Sequence, residues 1–591
     1  MSGNEAVALG AWQAGAAVGV GYPGTPSTET LEALARREGP ACEWAPNEKV
    51  ALEVGVGASM GGVRALVTMK HVGVNVAADP LLSACNAGVG GGLVVLAADD
   101  PSCYSSQNEQ DSRNYAAFAR VPMLEPADSA EAREFTVRAF DISETFDVPV
   151  MVRETMRVAH TKTVVDAGGG RVQVEPKEYT DDPAKWVMVP AHARERRTAA
   201  DRRTKALVEY AEHSDLNRVE MRGRETGVVC SGAVYQHVRE ALPDASILKL
   251  GLSWPLPPRK VADFAASVDN LYVVEEACAF FEPAIRAMGV EISCPPGAAL
   301  PKAGELTPAR IAAAFGKPPA RHYPKLSDLP QRPPSLCPGC PHRLVFATLR
   351  DMKAVVCGDI GCYTLGATPP LSAIHSTIDM GASLSMAHGM ELAGVPERSG
   401  RPVVGVIGDS TFAHSGITSL LGTVYNAGAG TLCILDNRTT AMTGCQGNPV
   451  NGLTLEESAR PGASPLDVPA ERQLDLPALC RALGAADVEE VDAQDLGAVK
   501  AALESATQAA GVLSVRIFRS PCRLVDRTRK PAFEVDARCR ACGLCVKLGC
   551  PVMGVDGEGR ATIDAQRCIG CGQCAQACPF GCIGEGEGDM R

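Results

Sequence analysis

Eight cysteines crowd between Cys539 and Cys578, in two related runs. The first is Cys539-x2-Cys542-x2-Cys545-x4-Cys550-Pro551; the second is Cys568-x2-Cys571-x2-Cys574-x3-Cys578-Pro579. A two-residue spacer lets three thiolates wrap one corner of an iron–sulfur cube, and a fourth cysteine before proline ligates the other cluster. The spacing therefore assigns Cys539, Cys542, Cys545 and Cys578 to one 4Fe-4S cluster (A). It assigns Cys568, Cys571, Cys574 and Cys550 to a second (B). Four-cysteine zinc sites share the two-residue spacer and are the alternative; two repeats of a three-cysteine run plus Cys-Pro favour cubes. The extra residue before Cys550 reads as a modified turn with the ligand kept. Cys582 falls outside both runs and is not expected to ligate. Such clusters pass one electron at a time, so the tail reads as a wire that needs an electron source elsewhere in the chain.

A second group of residues suits a diphosphate. Gly408-Asp409-Ser410 follows the apolar run Pro402–Ile407, and Asp436-Asn437 follows Thr431–Leu435. Both polar loops then sit at strand C-termini, where open parallel sheets bind ligands. Asp409 and Asn437 offer hard oxygens that suit Mg2+ beside phosphates, and the Thr439 carbonyl can add a third. The glycine loop Gly358-Asp359-Ile360-Gly361-Cys362 offers amides to phosphate. Ordinary strand-end turns are the alternative reading. The paired loops resemble the thiamine-diphosphate motif, Gly-Asp-Gly then Asn-Asn, here with Ser410 and Asp436 as departures. That cofactor needs a carboxylic acid from another domain, hydrogen-bonded to its aminopyrimidine, so that the thiazolium carbon can lose its proton and serve as electron sink. Glu48 is the candidate, set against the bland reading of a solvated helical glutamate. His71, His342, His375 and His414 are candidate site histidines with structural roles as the alternative. His71 leads because it closes a strand; it can bind diphosphate or relay protons.

These residues need elements to hold them. From Ala6 to about residue 157, helical patterns alternate with short apolar runs, and Val63–Met69 and Gly92–Ala98 read as buried strands of a mostly parallel α/β sheet. Residues 166–225 are polar, with a basic stretch at Arg194, Arg196, Arg197, Arg202, Arg203 and Lys205: a solvated linker helix or a basic docking face. Strands at Gly227–Cys230 and Leu271–Val274 around a helix at Val234–Ala241 form a second α/β segment, closed by the proline-rich stretches 294–301 and 318–334. A third covers about 335–525, and the tail starts near 531. The chain has 591 residues and a formal net charge of −12. That charge argues against nucleic acid or an anionic membrane as partner, since both need a basic face. The first 24 residues carry no basic leader and no apolar run reaches about 18 residues, so a cytoplasmic chain without a membrane span is expected. In such a chain 23 cysteines read as metal ligation or catalysis.

Several motifs carry a family resemblance: Tyr22-Pro23-Gly24-Thr25-Pro26-Ser27-Thr28-Glu29, Asn47-Glu48-Lys49, Met69-Lys70-His71-Val72-Gly73-Val74-Asn75, Asp99-Asp100-Pro101, Ser105-Ser106-Gln107-Asn108-Glu109-Gln110-Asp111 and Leu336-Cys337-Pro338-Gly339-Cys340-Pro341-His342-Arg343. With the cysteine tail, the chain resembles the alpha (large) subunits of the indolepyruvate:ferredoxin oxidoreductases, within the ferredoxin-dependent 2-oxoacid oxidoreductases. The resemblance implies a multidomain α/β thiamine-diphosphate-binding fold. It would comprise a pyrimidine-binding domain (1–165), a charged linker (166–225), a transketolase-C-terminal-like domain (226–325), a diphosphate-binding domain (326–530) and a two-cluster ferredoxin-like α+β module (531–591). It implies oxidative decarboxylation of an arylpyruvate with coenzyme A, giving an arylacetyl-CoA, CO2 and two reduced ferredoxins.

By the same resemblance Glu48 is the pyrimidine activator, Thr25 contacts the substrate, and Asp409, Asn437 and Thr439 hold Mg2+. Gly408, Ser410, Asp359, Gly361 and Cys362 line the cofactor. Met442 stands where pyruvate enzymes carry asparagine, which suits an aromatic substrate; core packing is the alternative. A third, proximal 4Fe-4S cluster is implied on Cys337, Cys340, Cys362 and Cys522, against a reading of those thiols as metal-free packing. A separate small beta subunit with the gamma-type domain is implied, in a heterodimer or heterotetramer, with ferredoxin as acceptor. Another 2-oxoacid substrate, an inert electron-transfer subunit, and a non-oxidative thiamine lyase stay open as alternatives.

Overall fold

The computed structural model describes residues 1–318, 329–330, 333–509 and 511–586. The chain divides into two compact units, Met1–Ser327 and Asp328–Arg591. The expected domain boundary at 325/326 lies outside the described residues. Among those residues no helix is long and apolar enough to cross a membrane.

The first unit contains strands β1 (Val18–Gly21), β2 (Ala41–Trp44), β3 (Ala65–Lys70), β4 (Leu93–Asp99), β5 (Met123–Leu124), β6 (Val150–Thr155), β7 (Asn217–Glu220), β8 (Gly227–Ser231), β9 (Ser246–Leu250), β10 (Leu252–Trp254) and β11 (Leu271–Val273). Seven of them form one sheet in the order β10-β5-β6-β4-β3-β1-β2, parallel except for β10. Every residue of β3, β4 and β6 is buried, as both-face coverage by helices demands of a parallel strand. The second sheet runs β11-β8-β9-β7.

Residues 166–225 depart from the expected linker. β7 lies among them, as an antiparallel edge strand against β9; its four residues, Asn-Arg-Val-Glu, carry no apolar alternation that would announce it. The helix Pro190–His213 does not carry its basic side chains all to solvent. Arg196 donates to the Ala87 carbonyl at 2.6 Å and to Asp147 at 2.8 Å. Arg203 donates to the Cys85 carbonyl at 2.6 Å. These carbonyls end the helix Ala78–Ala87, and cations satisfy such orphan acceptors well. Arg194, Arg197, Arg202 and Lys205 stay exposed.

The second unit holds β12 (Val355–Cys357), β13 (Val403–Gly408), β14 (Gly430–Asp436), β15 (Asp487–Asp492) and β16 (Leu513–Arg519). They form a fully parallel sheet in the order β12-β13-β14-β16-β15. The tail adds β17 (Phe533–Val535), β18 (Met553–Val555), β19 (Ala561–Ile563) and β20 (Ile583–Glu585), paired antiparallel as β17-β20 and β18-β19. The tail is bonded to the sheet domain. Arg343 donates to the Leu548 carbonyl at 2.9 Å, Arg350 to that of Lys547 at 2.7 Å, and Gln576 to that of Gln494 at 2.9 Å.

Candidate active site and electron path

In the first unit Thr25, Glu48 and His71 follow the C-terminal ends of β1, β2 and β3, which are neighbours in the sheet. Glu48 opens the helix Glu48–Met60, whose N-cap Asn47 accepts from the Val50 amide at 2.9 Å. The Glu48 side chain is buried, at 4% exposure. It lies directly on Gly73: a Cβ there would stand 2.6 Å from both Cγ and Oε1 of Glu48. Only glycine admits the carboxylate at that spot. Two motifs separated in sequence thus form one site.

Thr25 is half-buried, beside a cis Thr25–Pro26 bond, in a turn that Asn4 ties by donating to the Pro26 carbonyl at 2.8 Å. His71 lies just past the end of β3. Its ring is fully buried and Nε2 meets the Asn108 carbonyl at 3.2 Å; burial lowers its pKa. Through Nε2 it holds the 105–111 loop, while its buried Nδ1 has no hydrogen-bond partner. Lys70 donates to the Ser105 carbonyl at 2.6 Å, and burial pushes its pKa down to about 8. Asp100 accepts from the Ser105 amide at 2.7 Å and the Ser106 hydroxyl at 2.5 Å.

In the second unit the loops at Asp359, Asp409, Asn437 and Cys522 follow β12, β13, β14 and β16. Asp409 is buried, and its Oδ2 has no hydrogen-bond partner. Burial and the nearby Asp436 carboxylate both raise its pKa. Asn437 is also buried. Its Oδ1 accepts from the Thr439 amide at 3.2 Å, and its Nδ2 meets His342 Nε2 at 3.4 Å. Burial pushes the His342 pKa down to about 4, so the ring is neutral and can accept. An orphaned carboxylate oxygen beside an oriented amide and a threonine is a donor set that fits Mg2+.

Asp359 shapes the loop around it. Its carboxylate accepts from the amides of Ile360 at 2.9 Å, Gly381 at 2.9 Å and Ser383 at 3.2 Å. It thereby fixes the start of the helix Ala382–Leu392, while burial pushes its pKa up to about 6. The Gly361 amide donates to Thr364 at 3.2 Å. Two amides of the glycine loop are therefore already spent. Both Gly361 and Gly408 lie against the Tyr363 ring, which a Cβ would strike at 2.3 Å and 2.5 Å. Ser410 accepts from the Thr440 hydroxyl at 3.0 Å. Met442 is 53% exposed on the turn that follows, so it is no core residue.

The tail cysteines line two cavities. One is walled by Cys539, Cys542, Cys545 and Cys578, with Cys582 among them. The other is walled by Cys550, Cys568, Cys571 and Cys574, together with Pro338, Gly339 and Arg343. The sulfurs surround these spaces; among the described residues no three Cys, His, Asp or Glu side chains close on a single-ion site. A Cβ on Gly339 would meet Ile569 at 2.3 Å and Cys571 at 3.3 Å, and Gln573 donates to the Cys340 carbonyl at 3.0 Å. The Cys337–Cys340 turn therefore lies directly on the second tail cavity. Cys362 feels both Cys522 and Cys337, and burial pushes it up to about 11. Cys522 is pulled down to about 6 by a hydrogen bond from Cys445.

Comparison with known proteins fits this geometry. A model of the pyruvate flavodoxin/ferredoxin oxidoreductase thiamine-diphosphate-binding domain matches residues 9–227. The C-terminal thiamine-pyrophosphate-binding domain of thiamine enzymes matches 359–517, and a 4Fe-4S binding domain matches 561–584. The indolepyruvate oxidoreductase subunit IorA of Thermococcus kodakarensis is 37% identical across 98% of this chain and 95% of its own length. That of Methanothermobacter marburgensis is 38% identical, across 98% and 96%. The chain belongs to the IorA family. Its cofactors are thiamine diphosphate and iron–sulfur clusters.

Three features of this IorA-family chain escaped the sequence reading. Asn448 hydrogen-bonds Asp409 and donates to Thr440 at 3.3 Å; its place in the polar stretch Gln446-Gly447-Asn448 was the available signal. Cys445 brings a further sulfur to Cys522. Tyr363, whose hydroxyl donates to the Ile360 carbonyl at 2.8 Å, packs between two motif glycines that gave no hint of it.

Proposed function

We propose that this chain is the catalytic subunit of a cytoplasmic, ferredoxin-dependent oxidative decarboxylase. It converts an arylpyruvate, indolepyruvate foremost, and coenzyme A to the arylacetyl-CoA, CO2 and two reduced ferredoxins. The observation that carries this reading is the union, in one IorA-family chain, of the buried Glu48–Gly73 site with two cysteine-lined cavities. Bound thiamine diphosphate supplies a thiazolium carbon that serves as nucleophile and electron sink.

The chain's own residues do the rest. Glu48 would hydrogen-bond the aminopyrimidine through its carboxyl group. Asp409, Asn437 and Thr439 hold Mg2+; the unpartnered Asp409 Oδ2 supports this. His342 positions Asn437, as outer partners of metal ligands do. Gly408 and Ser410 line the diphosphate, and Thr25 contacts the substrate carboxylate or keto oxygen. Met442, apolar and exposed, forms a wall suited to an aromatic ring.

Cys539, Cys542, Cys545 and Cys578 hold cluster A; Cys568, Cys571, Cys574 and Cys550 hold cluster B. A proximal cluster sits on Cys337, Cys340, Cys362 and Cys522. The contact of Gly339 with the cluster B loop supports the order proximal, B, A. A small beta subunit completes a heterodimer or heterotetramer.

The test is a rate panel. With the co-expressed beta subunit, ferredoxin and coenzyme A, indolepyruvate and phenylpyruvate should outpace pyruvate and 2-oxoglutarate in kcat/KM by at least about tenfold. Preference for pyruvate would overturn the substrate assignment, and turnover without ferredoxin reduction would overturn the reaction.

A further inference from the structure

Cys582 belongs to neither cysteine run, yet the fold delivers it into the cluster A cavity. The pairing of β20 with β17 fixes the backbone beside it, and the Asp536 amide donates to the Cys582 carbonyl at 2.9 Å. Its side chain is 3% exposed and lines the same cavity as Cys539, Cys542, Cys545 and Cys578. The Cys582 and Cys578 sulfurs are 3.2 Å apart, and Cys582 also hydrogen-bonds Cys539. The other half of the tail offers an internal control. The residue four places after Cys550, matching Cys582 after Cys578, is Gly554. The cluster B cavity is lined by Cys550, Cys568, Cys571 and Cys574 without a fifth cysteine; its one further sulfur is the Met553 thioether, which has no proton to lose and cannot become a thiolate.

We propose that Cys582 is a fifth thiol of the cluster A site, a reserve ligand that binds the iron when Cys578 does not. The exchange is a ligand substitution. An iron–sulfur bond to Cys578 breaks and one to Cys582 forms. The Cys582 thiol releases a proton, the departing thiolate takes one up, and no electron changes hands. Thiolate is the ligating form, and side-chain rotation covers a separation of this size. Cluster B has no such recourse. The proposal rests on Cys578 being a ligand of cluster A.

The experiment uses the full-length chain with its partner subunit, purified anaerobically, with iron content and the electron paramagnetic resonance of the reduced clusters as readouts. Cys578→Ser should keep the wild-type iron content with an altered cluster A signal. The double variant C578S/C582S should lose a whole cluster, four irons per chain, and so should Cys550→Ser. Loss of four irons already in Cys578→Ser would overturn the reserve role while leaving Cys578 a ligand. Full iron in the double variant would instead overturn the ligand assignment itself. A Cys550→Ser chain with all its iron would remove the contrast, and with it the proposal. A second measurement avoids variants that fold poorly. With the four ligands intact, Cys582→Ser should lose cluster A to an iron chelator several-fold faster than wild type, with cluster B loss unchanged; equal rates for cluster A would sink the idea.

Discussion

The two parallel sheets both gather charge at the C-terminal ends of their strands, but they treat it differently. In the first unit most of the buried charges close on one another, although Glu154 is left with neither carboxyl oxygen partnered. Arg153 meets Asp99 at 2.6 Å and Glu125 at 2.7 Å, while Arg113 meets Asp111 at 2.5 Å and Glu275 at 3.3 Å, all deeply buried. In the second unit Asp436 has Arg519 at 2.7 Å, yet Asp409 keeps an oxygen with no partner. Asp409 is set apart from Glu154, the unpartnered carboxyl of the first unit, by the oriented Asn437 amide and Thr439 beside it, which can complete a Mg2+ site. Burying an unpaired charge is costly, and both carboxyls answer with a raised pKa; a cation bound at Asp409 would offset that cost.

Variants can break this contrast. The largest effect should come from Arg153→Met, which strands Asp99 and Glu125 inside the first unit; urea unfolding should show a loss of about 3–5 kcal/mol. Asp409→Asn should act oppositely. Stability should hold or rise, while Mg2+-dependent thiamine diphosphate binding, read by calorimetry, weakens by more than about 100-fold. Equal destabilisation by the two variants would erase the distinction. His342→Ala should weaken the same binding by about 10–100-fold, as loss of an outer partner does, with calorimetry again as the measure.

The effect smallest per unit of the quantity varied is a pH slope. Glu154, buried with neither carboxyl oxygen hydrogen-bonded, has its pKa pushed by burial from an ordinary 4.5 up to about 8. The folded chain then holds a proton that the unfolded chain releases across that window. Stability contributed by this group falls as pH rises from about 4.5 to about 8, by at most about 1.4 kcal/mol per unit, and levels off above. Urea midpoints across that range should flatten in Glu154→Gln.

What could be read from the sequence follows the range of the signals. The strands ahead of Asp409 and Asn437 were legible because a fully buried parallel strand is a short apolar run with a polar loop after it. The cysteine runs were legible because their geometry is local. Contacts between distant segments left no periodic trace: Gly73 under Glu48, Cys582 against Cys578, and Arg196 and Arg203 capping another helix. The three amides that Asp359 accepts were not legible because two of them, from Gly381 and Ser383, lie more than twenty residues away. β7 was missed because a partly buried antiparallel edge strand needs little apolar character.

The central claim is that an acid in the first unit starts electrons on a path that ends in the cysteine tail. The direct test is anaerobic mixing of indolepyruvate with the loaded chain and its partner subunit, following the iron–sulfur absorbance. Wild type should bleach as its clusters are reduced, and Glu48→Gln, with thiamine diphosphate still bound, should bleach at least about a thousandfold more slowly. Bleaching of the variant at the wild-type rate would contradict the account.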